Sequence, residues 1–202
     1  MAGGPALRSW EDLRVEEDRH DRFWGNFIRA STIRIDNLRR AYGADAKVTW
    51  IVYRPGYQIR GRQEGKPYTT WIVKQAAKRR VRLIWVDSGS EAISAMNGMS
   101  RGSVQTFDFF GHSNRHAFML DYGTEIMAVS KAWIHENDLG KIRSSIFAKN
   151  ALCQSYGCHT GESMSRVWRS RVGNTLIGAR GKTDFTTITY GKMPSVNGSW
   201  VR

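Results

Sequence analysis

The sequence of 202 residues predicts an α/β fold with a central, mostly parallel sheet of five or six strands, preceded by an N-terminal helical arm. Two observations predict it. Short apolar runs rich in β-branched and aromatic residues recur at 48–53 (VTWIVY), 81–86 (VRLIWV) and 104–110 (VQTFDFF). Stretches of helical character, about ten residues long, alternate with them, which is the pattern of βαβ units. The composition agrees: 41% hydrophobic and 24% charged residues are ordinary for a globular chain and exclude an intrinsically disordered one.

In chain order, residues 1–46 read as the helical arm and 47–202 as the main domain. Ser9 is placed to cap a first helix, with Trp10, Leu13, Phe23, Phe27 and Ile28 near helical spacing. A second helix over 32–42 carries Ile33, Ile35, Leu38 and Tyr42, and Gly43 can end it. The first strand closes on Arg54-Pro55-Gly56, a turn signal, and Gly61, Gly65 and Pro67 mark a loop. Helices follow over 69–80 and 90–97, flanking the second strand. Residues 125–134 fit helix or strand equally. A fourth strand ends near Tyr156, a helix covers 162–171, and a fifth strand covers 174–179.

Lys and Arg total 31 against 18 Asp and Glu, a net charge of +13 with histidines neutral. Such a chain attracts nucleic acid, acidic membranes and acidic proteins. The basic residues are nevertheless dispersed, dense only over 74–82, and no zinc-finger spacing, RRM signature or basic heptad accompanies them. No apolar run is long enough to span a membrane, and residues 1–9 lack the apolar core of a signal peptide. The two cysteines, Cys153 and Cys158, cannot build a disulfide framework, so the expected compartment is a reducing cytoplasm.

In parallel sheets reactive groups gather beyond the carboxyl ends of the strands. Gly111-His112-Ser113-Asn114 follows the third strand and Gly157-Cys158-His159-Thr160-Gly161 follows the fourth. If those strands pair, an imidazole and a thiol leave neighbouring strands together. That combination suits nucleophilic catalysis: an ordinary thiol, with a pKa of about 8.5, is mostly protonated at neutral pH and needs a base beside it. The helix expected from residue 162 adds a favourable dipole for a thiolate, and main-chain N–H groups at the turn suit an oxyanion. Cys153, in the apolar run 151–153, reads as a core residue. Zinc through Cys153, Cys158, His159, His112 and His116 has no knuckle spacing behind it, so neither metal nor cofactor is expected.

This two-part pattern resembles the caspase-like cysteine peptidases, a family with a three-layer α/β sandwich, over roughly 47–187. In that family a histidine follows the third strand and the nucleophilic cysteine the fourth, and here the two are 46 residues apart. Residues 177–181 (IGARG) resemble the fifth strand and loop of bacterial members. The resemblance implies Cys158 as nucleophile and His112 as general acid/base. It also implies an oxyanion site from the main-chain N–H groups of Cys158 and Ser113, the latter standing where the family usually has glycine. Gln154, Ser155, Asp184, Arg180 and Asp87 are candidates for binding the substrate residue before the cleaved bond. The implied partner is a protein or peptide substrate; the basic charge suits an acidic partner or an immunity or regulatory protein as a further one, and that charge with the small single domain suits a bacterial effector or toxin. Two other readings stay open: a basic nucleic-acid-binding protein or nuclease using residues 111–116, and a catalytically inactive α/β interaction module.

Overall fold

The computed structural model describes residues 1–12, 15–16, 23–122 and 132–202. Its α/β architecture is built on mixed sheets. Strands β1 (Thr49–Tyr53) and β2 (Arg82–Val86) pair in parallel. A second group runs in the order β3-β7-β8-β9, where β3 is Val104–Phe109, β7 Phe147–Ser155, β8 Leu176–Asp184 and β9 Ser195–Val201. β3, β7 and β8 are parallel, while β9 returns antiparallel to β8. Strands β4 (His112–Ser113), β5 (Ala117–Met119) and β6 (Trp133–His135) form a separate antiparallel sheet. The sheet is therefore mixed rather than mostly parallel, because β9 and the small sheet run against the expected direction.

The two larger groups are joined by the start of the chain. Ala2 bridges in parallel to both Val52 and Phe110. Its N–H donates to the Ile51 carbonyl at 2.9 Å, and its own carbonyl accepts the Tyr53 N–H at 3.0 Å. Gly3 donates to the Phe110 carbonyl at 2.8 Å and Gly4 to that of Leu120 at 2.8 Å. Residues 1–4 thus lie between β1 and β3 instead of belonging to a helical arm. Nothing in MAGG carries strand periodicity; the conformation comes from partners on both sides. The first helix is short, α1 (Arg8–Glu11), with Ser9 inside it rather than capping it; Leu13 and the Trp10 side chain lie outside the described residues.

Helix α2 (Asn26–Tyr42) is one continuous element where a helix over 32–42 was expected. The predicted loop after β1 is a helix, α3 (Arg54–Glu64), with Pro55 in its first turn. There the missing proline N–H would have no helical acceptor and the fixed φ favours the helix, so a turn signal became a start signal. Helices α4 (Tyr68–Lys78) and α5 (Gly89–Asn97) match expectation. Ser88 caps α5 by accepting the Glu91 N–H at 3.1 Å, worth about 1 kcal/mol. Of the ambiguous stretch 125–134, residues 133–134 belong to β6 and 132 precedes it; 125–131 lie outside the described residues. Helix α6 spans Met164–Val172.

Alternation along the strands divides the core into two layers of packing. Ile51, Tyr53, Phe107, Phe109 and Cys153 face α5, α6 and the small sheet, around the fully buried Trp168. Trp50, Val52, Phe110 and Tyr156 face the other way, onto Phe27, Ile28 and Ile35 of α2, Tyr57 of α3 and Ile72 of α4. The result is a sandwich of helices, sheet and helices, in which α2 is an integral layer. Tyr57 donates its hydroxyl to the Gly3 carbonyl at 2.8 Å, and the buried Arg60 donates to that of Ala6 at 2.8 Å, fastening α3 onto the inserted segment.

β8 continues to Asp184, five residues beyond the expected end, because β9 supplies a partner for residues 178–184. Gly181 and Gly198 oppose each other across this hairpin with φ of +100° and +138°. A Cβ on either would lie 2.4 or 2.2 Å from a carbonyl oxygen of the facing strand, so both positions require glycine.

Candidate functional site

Strands β3 and β7 pair in parallel with Phe109 opposite Ser155. The ladder extends one step further, Tyr156 N–H donating to the Phe109 carbonyl at 2.8 Å. Each chain then leaves its strand at the same level. His112 lies three residues past Phe109 and Cys158 three past Ser155, so the two sequence motifs emerge side by side. They touch: the Ser113 hydroxyl donates to the Cys158 carbonyl at 2.7 Å. Gly157 permits the approach, since a Cβ there would sit 2.2 Å from Ser113 Oγ and 3.2 Å from the Gly111 carbonyl oxygen.

The turn carrying Cys158 is also laid against β8. His159 donates its N–H to the Gly181 carbonyl at 2.9 Å, and Gly161 donates to Ala179 at 2.8 Å. His159 adopts a left-handed φ of 62°, and its Nδ1 lies 2.6 Å from Glu162 Oε1. Glu162 Oε1 also accepts the Gly181 N–H at 3.2 Å, and Oε2 lies 3.3 Å from Arg115. The hydrogen bond from His159 holds the Glu162 carboxyl below the usual carboxylate range. His159 therefore ties the turn to β8.

Cys158 is half-buried, and both hydrogen-bond partners of its sulfur lie on Thr183 of β8. The Thr183 N–H donates to Sγ at 3.3 Å, and Thr183 Oγ1 lies 3.3 Å from it. Helix α6 begins only at Met164, six residues on, so the helix expected from residue 162 does not start beside the cysteine. His112 is half-buried between aromatic rings: it stacks on Tyr122 at 4.0 Å and meets Phe27 edge-on at 5.0 Å. Phe27 in turn meets Phe185, two residues beyond Thr183, at 5.2 Å. Phe27 of α2 thus links the imidazole, through Phe185, to the end of β8 that also carries the sulfur's partner Thr183.

Two main-chain N–H groups beside this junction are left without a strand partner. Asn114 donates to the Ala117 carbonyl at 3.2 Å, which makes Asn114 and Ala117 a hydrogen-bonded pair of the β4–β5 hairpin. The next pair, Ser113 with Phe118, is then a non-hydrogen-bonded one, and the Ser113 N–H points away from β5. The Cys158 N–H has no acceptor among the described residues.

The remaining candidates divide. Gln154, in β7, is half-buried between Asp108 and Ile177, and Arg180 is exposed on β8 opposite Ser199. Ser155 is fully buried and its hydroxyl accepts the Gly157 N–H at 3.2 Å, so it supports the turn instead of meeting a substrate. Asp184, exposed at the end of β8, takes the Thr186 N–H at 2.8 Å and hydroxyl at 2.7 Å and shapes the turn there. Asp87 pairs with Arg54 at the end of β2, four strand positions from β7 and therefore about 19 Å away. Cys153 is core, its thiol pushed up to about 12 by burial and then by the Asp108 charge. His116 pairs with Glu136 at 3.1 Å, and His135 caps the short helix 136–141.

Sequence singled out none of Thr183, Phe185 and Tyr122, and read Phe27 only as a residue of a helix face. Only the length of β8 could have pointed to Thr183, and the alternating run after Ala179 was too polar to show it. No cluster of three or more metal-ligating side chains occurs among the described residues, nor is any helix among them long and apolar enough to cross a membrane. Comparison of the chain with models of protein families, with curated proteins and with solved structures finds no match.

Proposed function

We propose that the chain is a cysteine endopeptidase in which Cys158 attacks the scissile carbonyl and His112 moves the protons. The observation that carries this reading is the pairing of β3 with β7 in a register that delivers both motifs to one level, joined by the Ser113–Cys158 hydrogen bond. The histidine follows the third strand of the larger sheet layer and the cysteine the fourth, in keeping with the caspase-like resemblance.

The chemistry runs in two halves. Cys158 Sγ bonds to the peptide carbonyl carbon while its proton passes to His112, and the Ser113 and Cys158 N–H groups receive the oxyanion. The C–N bond breaks as His112 returns the proton to the amine, leaving a thioester. Water, deprotonated by His112, then attacks that thioester and releases the acid, and the proton returns to sulfur. Thr183 holds the sulfur in place through its N–H and its hydroxyl. A protein substrate met after delivery into another cell, as for an effector or toxin, is the setting this chemistry suits.

The test is incubation with a diverse peptide mixture under reducing conditions, read by mass spectrometry. New termini should appear with the wild-type chain and vanish with Cys158→Ala and with His112→Ala, both still folded by circular dichroism. Cleavage that survives both substitutions would overturn the assignment. Binding to DNA or RNA that falls steeply with salt and ignores thiol alkylation would favour a nucleic-acid-binding protein instead.

A further inference from the structure

At the opposite end of the sheet, residues 1–4 fill only part of the gap they bridge. Below them, between β1 and β3, lies a cavity of about 670 Å³. One wall is residues 46–51 and the other residues 103–108. Ile35 and Leu38 of α2 cover one face, and Met96 and Met99 at the end of α5 cover the other. The separation of the walls is set where Ala2 pairs with both, at two strand spacings, or about 9.6 Å. The cavity has the width of one strand, lying between two layers of apolar side chains.

Its walls carry strand-edge hydrogen-bonding groups. On β1 the Ile51 carbonyl faces Ala2, while the Val48 carbonyl faces β2. Alternation therefore turns the Ile51 N–H and both polar groups of Thr49 toward the cavity. On β3 the Asp108 carbonyl faces Met1 and that of Phe109 faces β7, so the Asp108 N–H and the polar groups of Thr106 also turn inward. The lining is basic as well. Lys47 and Arg82 are exposed at it. Arg34 gives only its Nε to Asp108, at 3.0 Å to each carboxylate oxygen, and its two terminal nitrogens have no partner among the described residues.

We propose that this slot binds an extended acidic peptide, which adds a strand between β1 and β3 in line with residues 1–4. Main-chain bonding to Thr49, Ile51, Thr106 and Asp108 gives the affinity, as in other cases of strand addition. Alternate side chains enter the two apolar faces, and carboxylates meet Arg34, Lys47 and Arg82. Six lining residues on each wall correspond to about 17 to 20 Å of strand, room for five or six residues.

The probe is a fluorescein-labelled, acetylated and amidated octapeptide that alternates valine and threonine and carries a glutamate near each end. It is titrated into the full chain bearing Cys158→Ala, so cleavage plays no part and failure of the peptidase reading leaves this result untouched. Binding should raise the anisotropy and slow amide hydrogen exchange at Ile51, Thr49, Thr106 and Asp108. Lys47→Glu combined with Arg82→Glu, both exposed, should weaken binding by about tenfold or more, and lysine in place of the glutamates should do the same. Binding that leaves those four amides unchanged, equal affinity for the charge-reversed chain, or no binding at about 1 mM peptide would each overturn the proposal.

Discussion

The two ends of the same strands are built in opposite ways. At the carboxyl ends of β3 and β7 the chain is packed to contact: Gly157 leaves no space for a methyl group, and the Cys158 turn is bonded to Ser113 on one side and to Thr183 and Gly181 on the other. At the amino ends of β1 and β3 the same layers stand apart around a strand-wide cavity with a basic lining. Rigidity gathers where a reaction would need atoms held in place. Room remains where a partner could be accommodated. One sheet can do both because residues 1–4 occupy only the carboxyl half of the gap between β1 and β3.

That contrast can be broken at either end. The largest expected effect is at the packed end: Cys158→Ala should lower peptide cleavage by about a thousandfold or more, measured as turnover on a substrate found by mass spectrometry, with the fold intact. Next comes the ion pair beside the open end. Arg34→Met leaves the buried Asp108 carboxylate without its guanidinium and should cost about 3 kcal/mol in urea unfolding at neutral pH. Burial already raises the Asp108 pKa against the opposing pull of Arg34. A carboxyl raised in the folded state contributes stability below its unfolded pKa and loses it as pH rises through the folded value. The deficit of Arg34→Met should therefore shrink when unfolding is repeated in acid.

A subtler change sharpens the comparison. Gly157→Ala inserts a methyl group where Ser113 Oγ lies 2.2 Å away, pushing the two motifs apart. It should cost about a hundredfold in kcat/KM, in line with a misplacement of about 1 Å. Adding Ser113→Gly removes that obstruction and should restore part of the rate; no recovery would mean that contact between the loops does not govern catalysis. The smallest effect is far from both ends: Ser88→Ala, which removes the α5 cap, should lower stability by about 1 kcal/mol and leave cleavage unchanged.

Sequence made β1 and β2 legible because each is a nearly continuous apolar run, the pattern of strands covered on both faces, while β3 showed through its aromatic residues Phe107 and Phe109. The two motifs were legible for a related reason, since glycine and polar residues end each run abruptly at the level where a parallel sheet places its chemistry. What escaped was structure set by distant partners. MAGG joins the sheet through Ile51, Phe110 and Leu120 and has no local preference to announce it. The strand β9 is mostly exposed, so alternation in SVNGSWV is too weak to read. Pro55 looked like a turn because proline at the first turn of a helix and proline in a turn share one φ. The partners of Asp184 and Asp87, Thr186 and Arg54, were likewise invisible to spacing alone.

The insertion of residues 2–4 also bears on how the molecule assembles. Their bonds are to residues about fifty to more than a hundred positions downstream, so on the ribosome this segment must wait, unpaired, until those strands have been made. Contacts of such long sequence separation slow folding. The amides of residues 2–4 should therefore be among the last to gain protection from exchange, closing the sheet only after both halves have formed.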